Sequence, residues 1–329
     1  MFKRFLIAII IVIVGALGWY FEATRAVTNE KLPSVEFQVK AGDGIDKISQ
    51  NLSAQKLIRS RTAFKITVIR LGITNKIQAG YFQLSPNMAM GEIALKLTRA
   101  TAKEVRVTIQ EGLRRQEIAN LLFTAFQNIN PGTVFDPNAF VVKTKDLEGQ
   151  LFPDTYQFDP KTDTDSVISR LHDKYIQVTG DLQIPSNKLQ EVTILASLLE
   201  REAANATEMP DVAGVFENRL NAGWPLQVDA TVQYAIATTR CKKLDCDWWP
   251  KNLTPSDLKI KSPFNTYLNP GLPPTPISNP GRDSLKAAFK PAKNSYWFYL
   301  HDNTGQIHFA NTIEEHNRNI CTYLKKSCP

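Results

Sequence analysis

Residues 5–21, FLIAIIIVIVGALGWYF, carry no charged side chain and directly follow Lys3 and Arg4. The run is long enough for one membrane helix, and the basic pair ahead of it orients the N-terminus inward. Trp19 and Tyr20 stand where an interfacial aromatic belt would lie. A cleaved signal peptide would need small residues there, and Trp19, Tyr20 and Phe21 are bulky. The expectation is an uncleaved anchor over 5–21, a cytoplasmic tail at 1–4, and the rest of the 329-residue chain outside the cytoplasm.

The cysteines suit that placement. All four, Cys241, Cys246, Cys321 and Cys328, lie beyond the anchor, where an even number reads as two disulfides. Local pairing of 241 with 246 and 321 with 328 is the simplest of three connectivities. Zinc is the rival reading, but neither spacing is the Cys-x-x-Cys of structural zinc sites. The net charge of +7 is compatible with nucleic acid, a membrane surface or an anionic polymer. The basic residues are scattered, so charge alone selects none of these.

After a polar linker at 22–34, Val35, Phe37 and Val39 alternate as a strand, AGDG turns the chain, and Ile45, Ile48 and Leu52 begin an amphipathic helix. A second helix with Phe64, Ile66 and Ile69, the strand AGYFQL and a short helix with Met90, Ile93, Ala94 and Leu97 complete a module over 35–100. FQVKAGDGIDKISQNL at 37–52 aligns without gaps on VTIQEGLRRQEIANLL at 107–122, a weak internal repeat. Residues 125–186 read as mixed and loop-rich around LFPDTYQF, whose aromatics suit a core or a sugar platform. The Trp-, Pro- and Asn-rich stretch 248–284 excludes regular structure, and long ordered loops are usually functional. YWFYL and QIHFA, joined by HDNTG, read as a closing hairpin.

The chemistry concentrates in one helix, read from Asn187 as N-cap to a stop near Asn205 and Pro210, with a second helix after it. Val192, Leu195, Ala196, Leu198, Leu199 and Ala203 share an apolar arc with Glu202 near its middle. Glu200 falls about 160° away, on a flank with Thr193, Ser197 and Ala204 where another segment could approach. A carboxyl aimed at apolar surroundings should have a raised pKa and serve as a proton donor at neutral pH. The bland alternative is a buried structural acid paired with Arg201 or Arg219.

The chain has no GxSxG elbow, HExxH, phosphate loop or GxGxxG after a strand. Paired-carboxylate glycoside hydrolysis is the obvious use of acids. Glu200 and Glu202 face apart, so a second carboxylate would have to be Asp229 or Asp154. One carboxyl suffices if the nucleophile is the substrate's own hydroxyl, since the group that protonates the leaving oxygen can then accept the hydroxyl's proton.

ASLLEREA, VFENRL, LQVDATVQYA, SPFNTY, GLPPTPISNPG, SLKAA and LFPDTY together resemble the endolytic murein transglycosylase family, also called YceG-like. The resemblance implies an α+β protein: an N-terminal membrane helix, a small LysM-like module, and a catalytic domain over 101–329, mixed α+β with a helical centre. It implies a single-pass inner-membrane lyase, its bulk periplasmic, that cuts nascent peptidoglycan strands internally, leaves 1,6-anhydro ends and terminates elongation. The partners would be glycan strands, the membrane and peptidoglycan synthases, with no nucleic acid, cofactor or metal. The second glutamate of the family's E-x-E pattern is Glu202, the catalytic acid, with Glu200 supporting it. Asn218, Gln227, Asp229, Thr231, Asn265 and Tyr267 lie in matching motifs as substrate contacts, caps or loop braces. CKKLDCDWW at 241–249 and the cysteine-bearing tail depart from the family pattern. A non-catalytic peptidoglycan-binding scaffold is the rival from another class.

Overall fold

The computed structural model describes residues 2–30, 32–99 and 104–325, with the side chains of residues 2–5 and 8 outside the description. The chain divides into two compact units, Met1–Lys103 and Glu104–Pro329.

In the first unit, α1 (Phe2–Thr24) precedes β1 (Val35–Val39), α2 (Ile45–Ala54), α3 (Arg61–Arg70), β2 (Gly80–Leu84) and α4 (Met90–Lys96). β1 and β2 pair antiparallel with Phe37 opposite Phe82, and both rings are buried with Ile48, Leu52 and Ile93. The face of α3 differs from the one expected. Phe64 is buried with Ala63, Thr67 and Val68, whereas Ile66 and Ile69 are exposed. Residues 63, 64, 67 and 68 follow helical i, i+3, i+4 spacing, and 66 and 69 fall on the far side. Among the described residues no helix is long and apolar enough to cross a membrane. The uncharged run lies in α1, whose N-terminal side chains are outside the description.

The second unit begins with β3 (Val105–Thr108) and α5 (Arg115–Ile129), and continues through α6 (Pro137–Lys143), β4 (Thr155–Phe158) and α7 (Thr164–Asp181). β3 and β4 pair antiparallel. The strand–turn–helix of 35–54 recurs here: Gly42 and Gly112 both turn at positive φ, and Ile48, Leu52, Ile118 and Leu122 are all buried. Residues 125–186 are more ordered than a loop-rich reading allows. α7 runs for 18 residues, with Val167, Leu171, Tyr175 and Val178 on its buried side. Phe152, Tyr156 and Phe158 are buried core, not platforms.

At the centre of this unit are α8 (Ser186–Glu202), α9 (Met209–Asn221), α10 (Asp229–Arg240) and α11 (Arg282–Phe289), followed by the hairpin β5 (Phe298–His301) and β6 (Ile307–Ala310) and by α12 (Ile313–Asn319). α8 starts one residue before Asn187 because Pro185 takes the N-cap position, and it stops at Glu202, earlier than Asn205. Ala196, Leu198 and Leu199 of α8, Val212 and Phe216 of α9, and Leu285 of α11 form one core. The flank of small residues on α8 is where a segment approaches. Ser197 Oγ accepts from Ile277 N at 3.1 Å, and Ser278 Oγ donates to the Ser197 carbonyl at 3.1 Å. Between 248 and 281 the only helical turn described is Asp257–Lys259, as the prolines require.

Cys241 and Cys246 form a disulfide just beyond α10. The pairing of Cys321 with Cys328 falls on residue 328, outside the described residues. Within the departing segment, Trp248 and Trp249 cover two arginines: Arg114 lies over Trp248 at 4.6 Å and Arg201 over Trp249 at 4.0 Å.

Candidate active site

Glu202 is the last residue of α8, at the negative end of the helix. Burial pushes its pKa from the ordinary 4.5 up to about 7, and the Asp229 carboxylate adds to the rise. Three groups pull the other way: the Tyr299 hydroxyl, the Arg219 charge and the Ala230 N–H in the first turn of α10. Tyr299 donates to Glu202 Oε2 at 2.7 Å. Burial and the neighbouring Glu202 hold the Tyr299 pKa well above the tyrosine range, so it remains a phenol and a donor. Near neutrality Glu202 is therefore poised between acid and base.

The cavity beside this carboxyl has a volume of about 310 Å³. Of the residues anticipated from sequence, Glu202, Gln227, Asp229 and Tyr267 line it. Tyr267 donates its hydroxyl to Asp229 Oδ1 at 2.6 Å. Asp229 opens α10 as its first residue, with Val228 at the N-cap. Gln227 adopts φ 56°, and its N–H reaches the Thr266 carbonyl at 3.1 Å.

Four other anticipated residues lie outside the cavity lining. Asn265 is buried and ties its own loop, donating to the Leu258 and Ile260 carbonyls and accepting from Tyr267 N at 2.9 Å. Thr231 is buried and donates to the Val228 carbonyl at 2.7 Å. Asn218 donates to the Tyr296 carbonyl at 2.9 Å, strapping the segment before β5 onto α9. Glu200 faces away from Glu202 and accepts from Gly281 N at 2.9 Å and Ser284 Oγ at 2.7 Å, at the N-terminus of α11. That is a favourable place for a carboxylate.

Five cavity residues were not in the anticipated set: Arg219, Phe298, Tyr299, Ile313 and His316. From sequence, Arg219 is a candidate ion-pair partner for a buried acid. It donates instead to carbonyls, to Leu226 at 2.6 Å through Nη1 and to Trp297 at 2.7 Å through Nη2. Those bonds fix the strand that carries Tyr299. Gly214 permits this, because a Cβ there would stand 2.3 Å from the Ala292 carbonyl oxygen. His316 stacks on Phe298 at 5.2 Å, and burial lowers its pKa, so its imidazole is neutral near pH 7. Asp154, the other candidate second carboxylate, lies elsewhere and pairs with Lys174 at 3.1 Å. Among the described residues, no group of three or more His, Cys, Asp or Glu is placed to hold a metal ion.

The arrangement offers one acid of tunable protonation, a second carboxylate in the same cavity, and a hydroxyl donor. It suits acid–base chemistry on a polar substrate. The model of the YceG-like family matches residues 37–322. An endolytic murein transglycosylase of Bacillus subtilis is 30% identical over 94% of this chain and 90% of its own length. One from Streptococcus pneumoniae is 25% identical over 87% of this chain, which spans 58% of that longer relative. The crystal structure of a yceG-like protein from Listeria monocytogenes shares 28% identity, with a TM-score of 0.52 over 88% of this chain and 99% of the other.

Proposed function

Because this chain belongs to the YceG-like family, we propose that it is an endolytic murein transglycosylase, a lyase that cuts peptidoglycan glycan strands between N-acetylmuramic acid and N-acetylglucosamine. The observation that carries the reading is Glu202, a carboxyl at the end of a helix, lining a cavity, with its pKa raised to about 7. As acid it protonates the leaving glycosidic oxygen while the bond to C1 breaks. As carboxylate it then takes the proton from the muramic 6-hydroxyl, whose oxygen closes on C1 to form the 1,6-anhydro ring. No water is consumed and Glu202 ends protonated, ready for another cycle. Asp229 faces the same cavity, where its negative charge would favour the developing oxocarbenium ion. Tyr267 and Tyr299 hold the two carboxyls in place.

The same reading makes α1 a single-pass inner-membrane anchor with the bulk of the chain periplasmic. Support comes from the uncharged run, the basic pair before it, and the outward exposure of Ile11, Val12 and Val14. The strand–helix–helix–strand order of residues 35–84 supports a LysM-like module. An enzyme so placed would terminate nascent strands beside the synthases that extend them.

Mass spectrometry of uncrosslinked glycan strands treated with the protein tests the reaction. Anhydromuramyl ends that disappear in Glu202→Gln and persist in Glu200→Gln are expected. Reducing ends would indicate a two-carboxylate hydrolase with Asp229 as partner. Absence of cleavage by the unaltered protein would favour the scaffold.

A further inference from the structure

A path of aromatic rings leads out of the Glu202 cavity. His316 and Phe298 stand in its wall. Phe298 meets Trp224 edge-on at 6.1 Å, and Trp224 meets Trp297 edge-on at 5.0 Å. Trp224 is 46% exposed. Scattered exposed apolar side chains need no explanation, but this one continues a ligand-sized cavity to the surface.

The backbone that carries the indole is also held in place. Trp224 follows the C-terminus of α9, and its backbone N–H donates to the Arg219 carbonyl at 2.8 Å. Gly223 before it turns at φ +69°, and Pro225 after it fixes the backbone. The surface exists before any ligand arrives, so little ordering opposes binding.

The chemistry favours a sugar ring over a protein. A pyranose presents C–H groups on its face and hydroxyls at its rim, and the negative face of an indole attracts C–H edges. Hydroxyls at the rim would find Gln227 and Asp229 in the adjoining cavity. A stable protein partner would need on the order of 1,000 Å² of complementary surface. Trp224 instead follows exposed Asn221, Ala222 and Gly223, and the exposed Ile313 stands in the cavity wall itself.

We propose that Trp224, backed by Trp297 and Phe298, is an outer subsite that stacks a sugar ring of the glycan strand beyond the bond cut at Glu202. The identity of the strand rests on the function proposed above. A long strand gains this contact, and the shortest cleavable fragment does not reach it.

The test is steady-state kinetics of the full-length chain on long uncrosslinked strands and on the shortest fragment it cuts, with Trp224→Ala and Trp224→Phe. Trp224→Ala should raise KM on long strands about tenfold, the scale of one good aromatic contact, with kcat little altered. The fragment should lose less than twofold, and Trp224→Phe should recover most of the long-strand loss. Val142→Ser, at another exposed apolar residue of the same unit, should alter neither. Equal losses on both substrates, a fall in kcat alone, or no change in Trp224→Ala would overturn the subsite. Calorimetric titration of Glu202→Gln with long strands, with and without Trp224→Ala, separates the two proposals. Trp224-dependent binding to Glu202→Gln, with no cleavage by the unaltered chain, would sink the lyase and keep the subsite. Cleavage and binding both indifferent to Trp224 would do the reverse.

Discussion

Glu148 and Glu202 are carboxyls of one unit, and burial raises both to a pKa of about 7. Each also lines a cavity, of about 270 Å³ at Glu148 and 310 Å³ at Glu202. Their neighbours differ. Glu148 Oε1 accepts from Arg115 N at 3.0 Å and Asn279 Nδ2 at 2.9 Å, clamping the first turn of α5 to the loop after Pro276. The charges of Arg114 and Arg115 pull its pKa down against burial, and the residue is 4% exposed. Gly149 beside it, at φ +85°, lets the chain pass so close that a Cβ would meet Pro276 and Thr193 below 3 Å. Glu202 instead meets a hydroxyl, a helix N-terminus and a second carboxylate across open space. A perturbed carboxyl is thus catalytic or structural according to what its oxygens face, since desolvation is shared by both.

The largest expected effect breaks the pair apart by activity. Glu202→Gln should lower strand cleavage on the order of a thousandfold, the scale of a lost general acid, while the protein stays folded. Glu148→Gln should leave kcat within a few-fold and instead lower stability by about 2 kcal/mol, because it removes the partly charged acceptor between buried Arg114 and half-buried Arg115. Product analysis and denaturant titration of both variants read the two outcomes. Loss of cleavage in a stable Glu148→Gln would make that carboxyl catalytic as well.

The pH profile sharpens the Glu202 half. Its proton must be present for the first step, so kcat/KM should fall as pH rises past about 7. Tyr299→Phe removes a bond that lowers this pKa, so the falling limb should move to higher pH. Asp229→Asn removes a charge that raises it, so the limb should move to lower pH. Stability follows the same proton. The folded pKa lies above the ordinary 4.5, so the contribution is full below that value and is lost as pH rises to about 7. Melting temperatures measured from pH 5 to 8 should decline, and less steeply in Glu202→Gln.

Helical periodicity alone put Glu202 on the buried arc and Glu200 on the opposite flank, because both lie within one element whose geometry is fixed. The motif residues Gln227, Asp229 and Tyr267 reach the cavity, whereas Asn218, Thr231 and Asn265 hold the loops that carry it. Side-chain type could not separate these groups, since an amide or hydroxyl serves a substrate or a carbonyl equally well. Tyr299 was visible only as part of a hairpin. Alternation tells that neighbouring strand residues face opposite ways, but not which face meets a helix end 97 residues earlier. α7 escaped notice because its buried positions recur at i, i+4, i+8 and i+11 among polar residues, a thin stripe beside turn-rich segments.

The smallest expected effect concerns Glu200, two residues before Glu202 on the other face of α8. Its carboxylate takes N–H and O–H donors at the start of α11, and its charge with that of Asp283 helps burial raise the pKa of Glu111. Glu200→Gln keeps an acceptor oxygen there and loses only the charge opposite the helix N-terminus, at a cost of about 1 kcal/mol. Relieved of one negative neighbour, Glu111 should titrate lower, which carbon-detected NMR of the carboxyls can follow. Glu200→Ala should cost more, because Gly281 N–H and Ser284 O–H then lose their acceptor. Cleavage should persist within a few-fold in Glu200→Gln. If it instead vanished as completely as in Glu202→Gln while α11 stayed intact, the acid would be on the wrong face of α8, and the contrast between a clamping and a reacting carboxyl would fail at its nearest pair.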